Sequence, residues 1–225
     1  MGRRRNAGFT RVELLVVIVV GVVVLGGTLW PAFSNAKAKA KRISCVCRLK
    51  NVGLAHRIFA TDNAELFPWE RSLADATNRM NFPDLRGLSA GDQVVRIYQS
   101  LSNELSTPRI LTCAADMRKP ARDWGTLTTN NVSYFVGLSA RESLPQTLMA
   151  GDRNLVLNGN RLAGRVELKG GAGVTWGEDI HRFQGSVAMG DGSVQQLSSR
   201  AGTSGGRLKA ALDNTGVETN IFLIP

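Results

Sequence analysis

An uncharged stretch near the N-terminus constrains this chain of 225 residues more than any other feature. The 23 residues from Leu14 to Ala36 carry no charged side chain, and a leader with Arg3, Arg4 and Arg5 precedes them. A helix of this length reaches across the roughly 30 Å hydrocarbon core of a bilayer. The stretch therefore predicts a transmembrane helix, with one acid, Glu13, at its start.

Two ordinary interpretations of this stretch are a plain membrane anchor and a cleaved secretory signal peptide. The apolar run is longer than the hydrophobic region of most signal peptides, and Glu13 interrupts the step from basic to apolar residues. The residues SNAKAKA that follow contain no small-residue cleavage site better than chance. The signal peptide is therefore disfavoured, and the plain anchor stays open.

A third interpretation comes from the motif Gly8-Phe9-Thr10 with Glu13 and the apolar helix. This motif resembles the N-terminal processing site of type IV pilins and type II secretion pseudopilins. In that family a prepilin peptidase cuts after the glycine and methylates the new N-terminal residue. The resemblance implies cleavage between Gly8 and Phe9 and methylation of Phe9, which leaves Glu13 at the fifth mature position. Arg11 departs from the apolar residue that is usual at the third.

Glu13 also has a role in the family that the motif resembles. There the glutamate pairs with the N-terminal ammonium group of a neighbouring subunit in the filament. A charged group at this depth is costly unless it is paired, which is consistent with such an assembly contact. The alternative is an ordinary interfacial charge at the level of the lipid headgroups.

The formal net charge of +10 and the pI near 10.3 at first suggest a nucleic-acid-binding protein. From Ile58 to the end, however, 17 Lys or Arg residues balance 17 Asp or Glu residues. The basic excess belongs to the leader and to the segment from Lys37 to Arg57. The sequence therefore predicts no nucleic-acid partner.

The membrane orientation follows from the resemblance rather than from charge. Three Arg precede the apolar run and four basic residues follow it within ten positions, so the charge rule alone favours a cytoplasmic C-terminus. The resemblance implies the opposite, with the leader in the cytoplasm and the C-terminal domain in the periplasm. We therefore expect a single-pass inner-membrane protein that enters a filament on assembly.

The order of elements predicts an α+β chain in four parts. These are a basic leader (1–8), a transmembrane and filament-core helix (9–36), an amphipathic continuation of that helix (37–63) and a globular α+β domain (64–225). The helix is expected from Thr10 to Thr61 with a bend near Pro31, where a backbone donor is missing.

The globular part is predicted to hold short elements separated by turns. A second helix is expected from Gly91 to Leu105 and a short one from Arg207 to Leu212. The expected strands are Arg109–Cys113, Asn131–Leu138, Thr147–Ala150 and Asn220–Ile224, with two hairpins, at Asn158-Gly159 and at Gly190-Asp191-Gly192.

The segments SYFVGL, MAGDRNL, HRFQGSVAMGDGSVQQL and TNIFLIP resemble a pseudopilin-like group of Planctomycetes and Verrucomicrobia. That group carries a histidine, nine residues and then Asp-Gly near its C-terminus, a spacing that His181 and Asp191-Gly192 reproduce. The resemblance implies a pilin-like fold, in which a long N-terminal helix, transmembrane in its first half, packs on a small antiparallel β-sheet.

Three cysteines leave two interpretations open. In an oxidising compartment, Cys45 on the long helix and Cys113 could pair and join helix to sheet. Cys47 is two residues from Cys45, so their side chains point to different faces of a helix and they are not expected to pair. The alternative is that all three are small buried hydrophobic residues, and a zinc site is not predicted.

His181 and Asp191 are more simply explained as a loop contact than as a catalytic or metal site. The oxygen donors Asp152, Asn154, Asp179 and Asp191 make calcium an alternative to no cofactor, since major pseudopilins bind calcium in a C-terminal loop. Their spacing, however, matches no calcium loop that can be derived. The other histidine, His56, is expected to be packed and hydrogen-bonded. No enzymatic activity is predicted.

The resemblance implies a structural subunit of a type II secretion pseudopilus or a type IV pilus-like filament. Its expected partners are the prepilin peptidase, other pilin-like subunits and copies of itself, the inner membrane and the secretion assembly platform. The alternative is a monomeric, membrane-anchored extracytoplasmic binding module, which would need neither cleavage nor polymerisation.

Overall fold

The computed structural model describes residues 10–70, 82–171, 173–199 and 206–225. It divides the chain into two compact units, Met1–Ala40 and Lys41–Pro225, which we refer to as the N-terminal and C-terminal units. The leader, including Gly8 and Phe9, lies outside the described residues.

Four α-helices and nine strands occur in the described parts of the chain. The helices are α1 (Arg11–Asp62), α2 (Ala90–Ser100), α3 (Ser102–Leu105) and α4 (Gly206–Asp213), and 3₁₀ helices lie at Pro108–Leu111 and Thr129–Asn131. The strands are β1 (Tyr134–Gly137), β2 (Leu148–Asp152), β3 (Leu155–Leu157), β4 (Asn160–Arg161), β5 (Gly164–Leu168), β6 (Val174–Trp176), β7 (Gln184–Met189), β8 (Val194–Ser198) and β9 (Asn220–Ile224).

The strands form two antiparallel sheets in the C-terminal unit. The larger has six strands in the order β5-β9-β1-β2-β7-β8, and the smaller has three in the order β4-β3-β6. The pairing of β1 with β2 sets Tyr134 opposite Asp152 and Val136 opposite Ala150. This register sets Asp152, the last residue of β2, beside the first residue of β1, at the end of the sheet where the candidate site lies.

Both faces of the larger sheet are buried, because successive side chains along its central strands belong in turn to two different apolar clusters. In β1, Tyr134 and Val136 belong to one cluster and Phe135 to the other, as the two-residue period of a strand requires. The first cluster includes residues of α1 and α2, and the second includes Leu208 and Leu212 of α4. Each face of the sheet is therefore covered by helix.

The second half of α1 packs on the sheet through a close approach at Gly53. A Cβ atom at Gly53 would lie 3.4 Å from Ala188 Cβ in β7 and 3.5 Å from the methyl carbon of Met149 in β2. The buried residues Cys45, Leu49, Val52, Ala55, His56, Phe59 and Ala60 recur on the same side of the helix.

The predicted fold class was wrong in its membrane-spanning helix. The described chain contains no helix that is long and apolar enough to cross a membrane. The Val-, Leu- and Ile-rich run, broken only by Gly21, ends at Leu25. At 1.5 Å per residue it is about 18 Å long, short of the roughly 30 Å core. The predicted single-pass inner-membrane localisation is wrong for the same reason.

The layout also differs from one long N-terminal helix on a small sheet. The first 40 residues form a unit of their own, three further helices belong to the C-terminal unit, and the main sheet has six strands. The fold is α+β with an antiparallel sheet covered on both faces.

Two local predictions were also wrong. Arg109–Cys113 is not a strand, because Pro108 begins a 3₁₀ helix whose N-cap is Thr107. The helix expected from Gly91 to Leu105 divides at Leu101 into α2 and α3. Strands β5 and β6 were not predicted, whereas both expected hairpins are confirmed by the β3–β4 and β7–β8 pairs.

Candidate functional site

Four buried side chains from distant parts of the sequence meet inside the C-terminal unit, and we call them the Cys–His–Asp cluster. Cys45 lies on α1, Cys113 follows the first 3₁₀ helix, Asp152 ends β2, and His181 precedes β7. The two sulfur atoms and the His181 imidazole lie within 4.8 Å of one another.

Cys45 and Cys113 are joined by a disulfide, and Cys47 is free and exposed. The bond closes a loop between positions that are 68 residues apart. In the chain-entropy account, closing a loop of this length stabilises the fold by about 4 kcal/mol. The disulfide therefore secures the loop that carries Cys113 to α1.

Hydrogen bonds from both sides hold Cys113 in place. The Arg48 guanidinium on α1 donates to the carbonyl oxygen of Thr112, and the Thr112 hydroxyl donates to the carbonyl oxygen of Asn131 at 2.6 Å. The amide of Ser133 donates to the carbonyl oxygen of Leu111 at 2.8 Å. The sulfur is thus positioned by the helix and by the start of β1 together.

His181 lies in an unusual turn. Three consecutive non-glycine residues have positive φ angles there: 59° at His181, 50° at Arg182 and 60° at Phe183. Each such residue costs of order 1–2 kcal/mol relative to ordinary backbone. Strained turns of this kind persist only where the surrounding structure fixes them, so the position of His181 is imposed by tertiary contacts.

Asn154 supplies the main constraint on this turn. Its side-chain amide is buried and donates to the carbonyl oxygens of Gly177 and Ile180, both at 2.9 Å. The Phe183 amide donates back to the Gly177 carbonyl oxygen at 3.1 Å. The turn is closed at both ends, and the His181 ring is directed into the cluster.

The imidazole of His181 faces sulfur and carboxylate at once. Its Nε2 atom lies 3.3 Å from Cys113 Sγ and 3.9 Å from Asp152 Oδ2. Asp152 Oδ2 accepts a hydrogen bond from the Ser186 amide at 2.7 Å, whereas Asp152 Oδ1 has no partner among the described residues. A buried carboxylate oxygen without a donor is uncommon in folded proteins.

Burial shifts the pKa values of the two titratable groups of the cluster in opposite directions. It raises the pKa of Asp152 to about 7, an effect that the Ser186 amide opposes and the Asp116 carboxylate reinforces. Burial lowers the pKa of His181 to about 4, helped by Arg42 and opposed by Asp116. Because the lowered pKa leaves His181 uncharged at neutral pH, its 3.9 Å contact with Asp152 is not a formed ion pair there.

A second carboxylate near the cluster is fully paired. Asp116 accepts two hydrogen bonds from Arg153, each 2.8 Å long, and its side chain is almost completely buried. The bidentate geometry satisfies both oxygens and neutralises the charge. Asp116 is therefore a structural partner of Arg153.

The spacing between His181 and Asp191-Gly192 places these residues at opposite ends of β7. His181 precedes this strand, and Asp191 and Gly192 form the turn that follows it, so at about 3.3 Å per residue they are separated by roughly 20 Å or more. Asp191 Oδ1 accepts from the Ser193 amide at 2.8 Å, and Gly192 has a φ of +78°. Asp191 shapes the β7–β8 hairpin and does not contact His181.

The calcium candidates are likewise dispersed. Asp152 is buried, Asp179 is exposed and paired with Arg161 at 2.9 Å, and Asp191 lies in the β7–β8 turn. Within the described ranges, the group of metal-binding side chains that comes together is Cys45, Cys113 and His181. Asn154 is used by the His181 turn.

His56 is packed as expected. It is fully buried, and its Nδ1 atom lies 2.8 Å from the carbonyl oxygen of Val52. Its ring contacts the rings of Phe67, Trp69 and Tyr98. Burial lowers the pKa of His56 to about 4.

Glu13 has a defined partner in the N-terminal unit. Its Oε2 atom accepts hydrogen bonds from the amide and the hydroxyl of Thr10, each 3.0 Å long, and the Glu13 amide lies 3.3 Å from the same hydroxyl oxygen. This reciprocal arrangement is a capping box, and it fixes the start of α1. Phe9 and Gly8 precede it and lie outside the described residues.

The helix that follows this cap exposes apolar side chains in every direction. From Val12 to Leu25, each Val, Leu and Ile side chain is more than half exposed. We call this segment the apolar helix. An exposed apolar surface of this extent is typical of an interaction site.

Sequence reasoning missed the partnership of Asp152 and His181. The signal available was an acid at the end of the otherwise small and apolar strand LMAGD, whose five residues are all buried.

Comparison of the chain with models of protein families, with curated proteins and with solved structures found no match.

Proposed function

We propose that this chain is a prepilin-like structural subunit that is cleaved after Gly8, N-methylated on Phe9 and assembled into a type II secretion pseudopilus or type IV pilus-like filament. The observation that carries the proposal is the apolar helix. Its partners are the prepilin peptidase, other pilin-like subunits and copies of itself, and the secretion assembly platform. No catalytic step is assigned to it.

The apolar helix needs a partner because it is apolar around its whole circumference. A helix of this kind is stable in water only when other protein or lipid surrounds it. Complete burial of a Val, Leu or Ile side chain contributes about 1.5–3 kcal/mol, and the segment carries twelve such side chains from Val12 to Leu25. The occupant we favour is the same segment of neighbouring subunits.

Glycines in the apolar helix and directly after it favour close packing between helices. At Gly21, Gly26 and Gly27, apart from the adjoining backbone of the same helix, no atom of the described residues lies within 4 Å of the position that a Cβ would take. A neighbouring helix can therefore approach the backbone at these points and gain van der Waals contact along its length.

Glu13 supports the same proposal through its place at the helix start. The capping box holds its carboxylate 3.0 Å from the amide of Thr10, one residue after Phe9. In a filament this carboxylate would be surrounded by apolar helices, where an uncompensated charge costs several kcal/mol. The methylated ammonium group of Phe9 on a neighbouring subunit is the compensating charge.

The proposal is tested by intact-mass and N-terminal analysis of the full chain isolated from its own cells. The expected mature chain begins with N-methylated Phe9, and electron microscopy should show filaments that contain it. Glu13→Ala should be cleaved but should fail to assemble, whereas the control Glu178→Ala, which removes an exposed carboxylate of the C-terminal unit, should assemble. An uncut chain that keeps Arg3 to Arg5 would refute the proposal.

A further inference from the structure

The geometry points to a second function for the Cys–His–Asp cluster: when the Cys45–Cys113 disulfide is reduced, we propose that these two sulfurs, His181 and Asp152 bind one thiophilic divalent cation such as Zn²⁺. The site would be open to the cation only in the reduced chain. This proposal does not depend on filament assembly, because all four residues belong to the C-terminal unit.

The donor set is the one that zinc selects. Two thiolates, one imidazole and one carboxylate are all established zinc ligands, and four donors satisfy its tetrahedral preference. The three side chains Cys45, Cys113 and His181 already have their donor atoms within 4.8 Å of one another. Donor atoms that share a zinc ion at about 2.0–2.3 Å are separated by about 3.3–3.8 Å, so small side-chain movements suffice for these three. Asp152 lies outside this 4.8 Å group, and its carboxylate has to move closer to the sulfurs to complete the site.

Asp152 is the independent observation that points to a cation. It is completely buried, its Oδ2 atom lies 3.9 Å from His181 Nε2, and its Oδ1 atom has no hydrogen-bond donor among the described residues. An orphan carboxylate oxygen inside a protein normally implies an unfilled interaction. A cation bound by the Asp152 carboxylate would fill it.

The cluster is held by the backbone and is therefore already organised for a ligand. The strained turn at His181 is clamped by Asn154, and the Ser186 amide fixes Asp152. Contacts of this kind, which orient metal ligands from outside the coordination sphere, commonly change metal affinity about 10–100-fold when they are removed. Arg42, which donates to the His181 carbonyl oxygen at 3.4 Å, opposes cation binding through its charge.

A small surface depression adjoins the cluster on the His181 side and is lined by Arg42, His181, Gln184, Gly185, Ser186 and Gln196.

The redox step is an ordinary thiol–disulfide exchange. A dithiol reductant gives two electrons and two protons to the disulfide, which leaves Cys45 and Cys113 as thiols and the reductant as its own disulfide. Binding of the divalent cation then forms two metal–sulfur bonds and releases the two thiol protons. Oxidation to the disulfide reverses the sequence and expels the cation.

The test uses the full chain, reduced with a dithiol that is then removed without oxygen, and Co²⁺ as a spectroscopic probe for Zn²⁺. We expect a thiolate-to-cobalt absorption band that saturates at one Co²⁺ per chain and disappears when Zn²⁺ is added. The oxidised chain should give no band. Absence of the band from a reduced chain that retains its near-ultraviolet circular dichroism would overturn the proposal.

Variants assign the ligands. Cys113→Ser and His181→Gln should lose the stoichiometric band, and His181→Gln keeps both sulfurs and so isolates the imidazole. Asp152→Asn should weaken binding about tenfold or more. The matched control is Cys47→Ser, which removes the exposed cysteine and should bind like the parent chain. Unchanged binding by His181→Gln, or lost binding by Cys47→Ser, would refute the assignment.

A thermal measurement covers the case in which reduction loosens the fold. Zn²⁺ should raise the melting temperature of the reduced chain and leave that of the oxidised chain unchanged, because a ligand stabilises only the state that binds it. If Zn²⁺ has no effect on the reduced chain, or an equal effect on both forms, the site does not exist.

Discussion

His181 Nε2 lies 3.3 Å from the sulfur of Cys113, and that sulfur is bonded to Cys45 on α1. The contact joins the turn before β7, the loop after the first 3₁₀ helix and the long helix at one buried point. These three segments are distant in sequence, so the contact constrains the topology of the whole C-terminal unit.

The disulfide should be a major source of stability. We expect Cys113→Ser to lower the free energy of unfolding by about 4 kcal/mol, because the unfolded chain regains the entropy of an open loop between positions 68 residues apart. Equilibrium denaturation of the full chain under non-reducing conditions measures the change. Cys47→Ser is the control and should shift the free energy by no more than about 0.5 kcal/mol. Equal losses in both variants would contradict the role given to the disulfide.

Asn154 should control the turn that carries His181. Replacement by Ala removes both hydrogen bonds of its side-chain amide. The Gly177 carbonyl oxygen keeps the Phe183 amide as a donor, whereas the buried Ile180 carbonyl oxygen loses the donor described here. An unsatisfied buried group costs about 1–3 kcal/mol, so we expect a loss of roughly 1–3 kcal/mol in unfolding free energy.

Hydrogen exchange of the backbone amides should locate this effect. The amides of Phe183 and Ser199, which close the turn, should exchange faster in Asn154→Ala than in the parent chain. Asn160→Ala, an exposed position in β4, is the matched control. A uniform loss of protection with no excess at these two amides would argue against a local clamp.

The elements that the sequence predicted well are those with a local signal. The Asn158-Gly159 turn has φ angles of 49° and 86°, a backbone conformation that favours these two residue types. The hairpin could therefore be predicted from these two residues. Thr107-Pro108 is an equally local signal for a helical start, and it outweighs the strand preference of the apolar residues that follow it.

Strand β5 was not predicted, although exposed and inward-facing side chains alternate along it as expected for a strand. Arg165 and Glu167 are exposed while Val166 and Leu168 turn inward, as on a strand with one solvated face. Charged residues are common on an edge strand because they prevent pairing with a further strand. In β5 they made the strand difficult to recognise from the sequence.

The candidate site could be predicted only in part. The pairing of Cys45 with Cys113 was one of two interpretations open from the sequence, and the disulfide joins them in the structure. The approach of Asp152 and His181 depends on the register of β1, β2 and β7, which no local pattern reveals. The His181–Asp191 spacing, although recognisable, describes the two ends of one strand.

The sheet should be far less tolerant of a methyl group at Gly137 than the helix at Gly53. A Cβ at Gly137 would overlap the carbonyl oxygen of Leu148 in the neighbouring strand, and backbone cannot move aside as a side chain can. At Gly53 the same Cβ would make ordinary contacts of 3.4 Å or more, and Ala favours helix by about 1 kcal/mol over Gly.

We therefore expect Gly137→Ala to lower the free energy of unfolding by about 3 kcal/mol or more, and Gly53→Ala to be neutral or stabilising. Thermal unfolding of the two variants beside the parent chain compares them directly. A stable Gly137→Ala chain would mean that β1 and β2 are not paired in the register described.

Buried His56 should make stability depend on pH. Its pKa is lowered by burial to about 4 in the folded chain, whereas the unfolded chain has the ordinary value near 6.5. Between these values the unfolded state binds more protons, so this contribution to stability is fully present above pH 6.5 and is lost as the pH falls toward 4. The difference corresponds to roughly 3 kcal/mol. Denaturation at several pH values should show His56→Gln to be less stable than the parent chain at pH 7 but to lose less stability on acidification. Parallel pH profiles for the two chains would show instead that the pKa of His56 is the same in the folded and the unfolded chain.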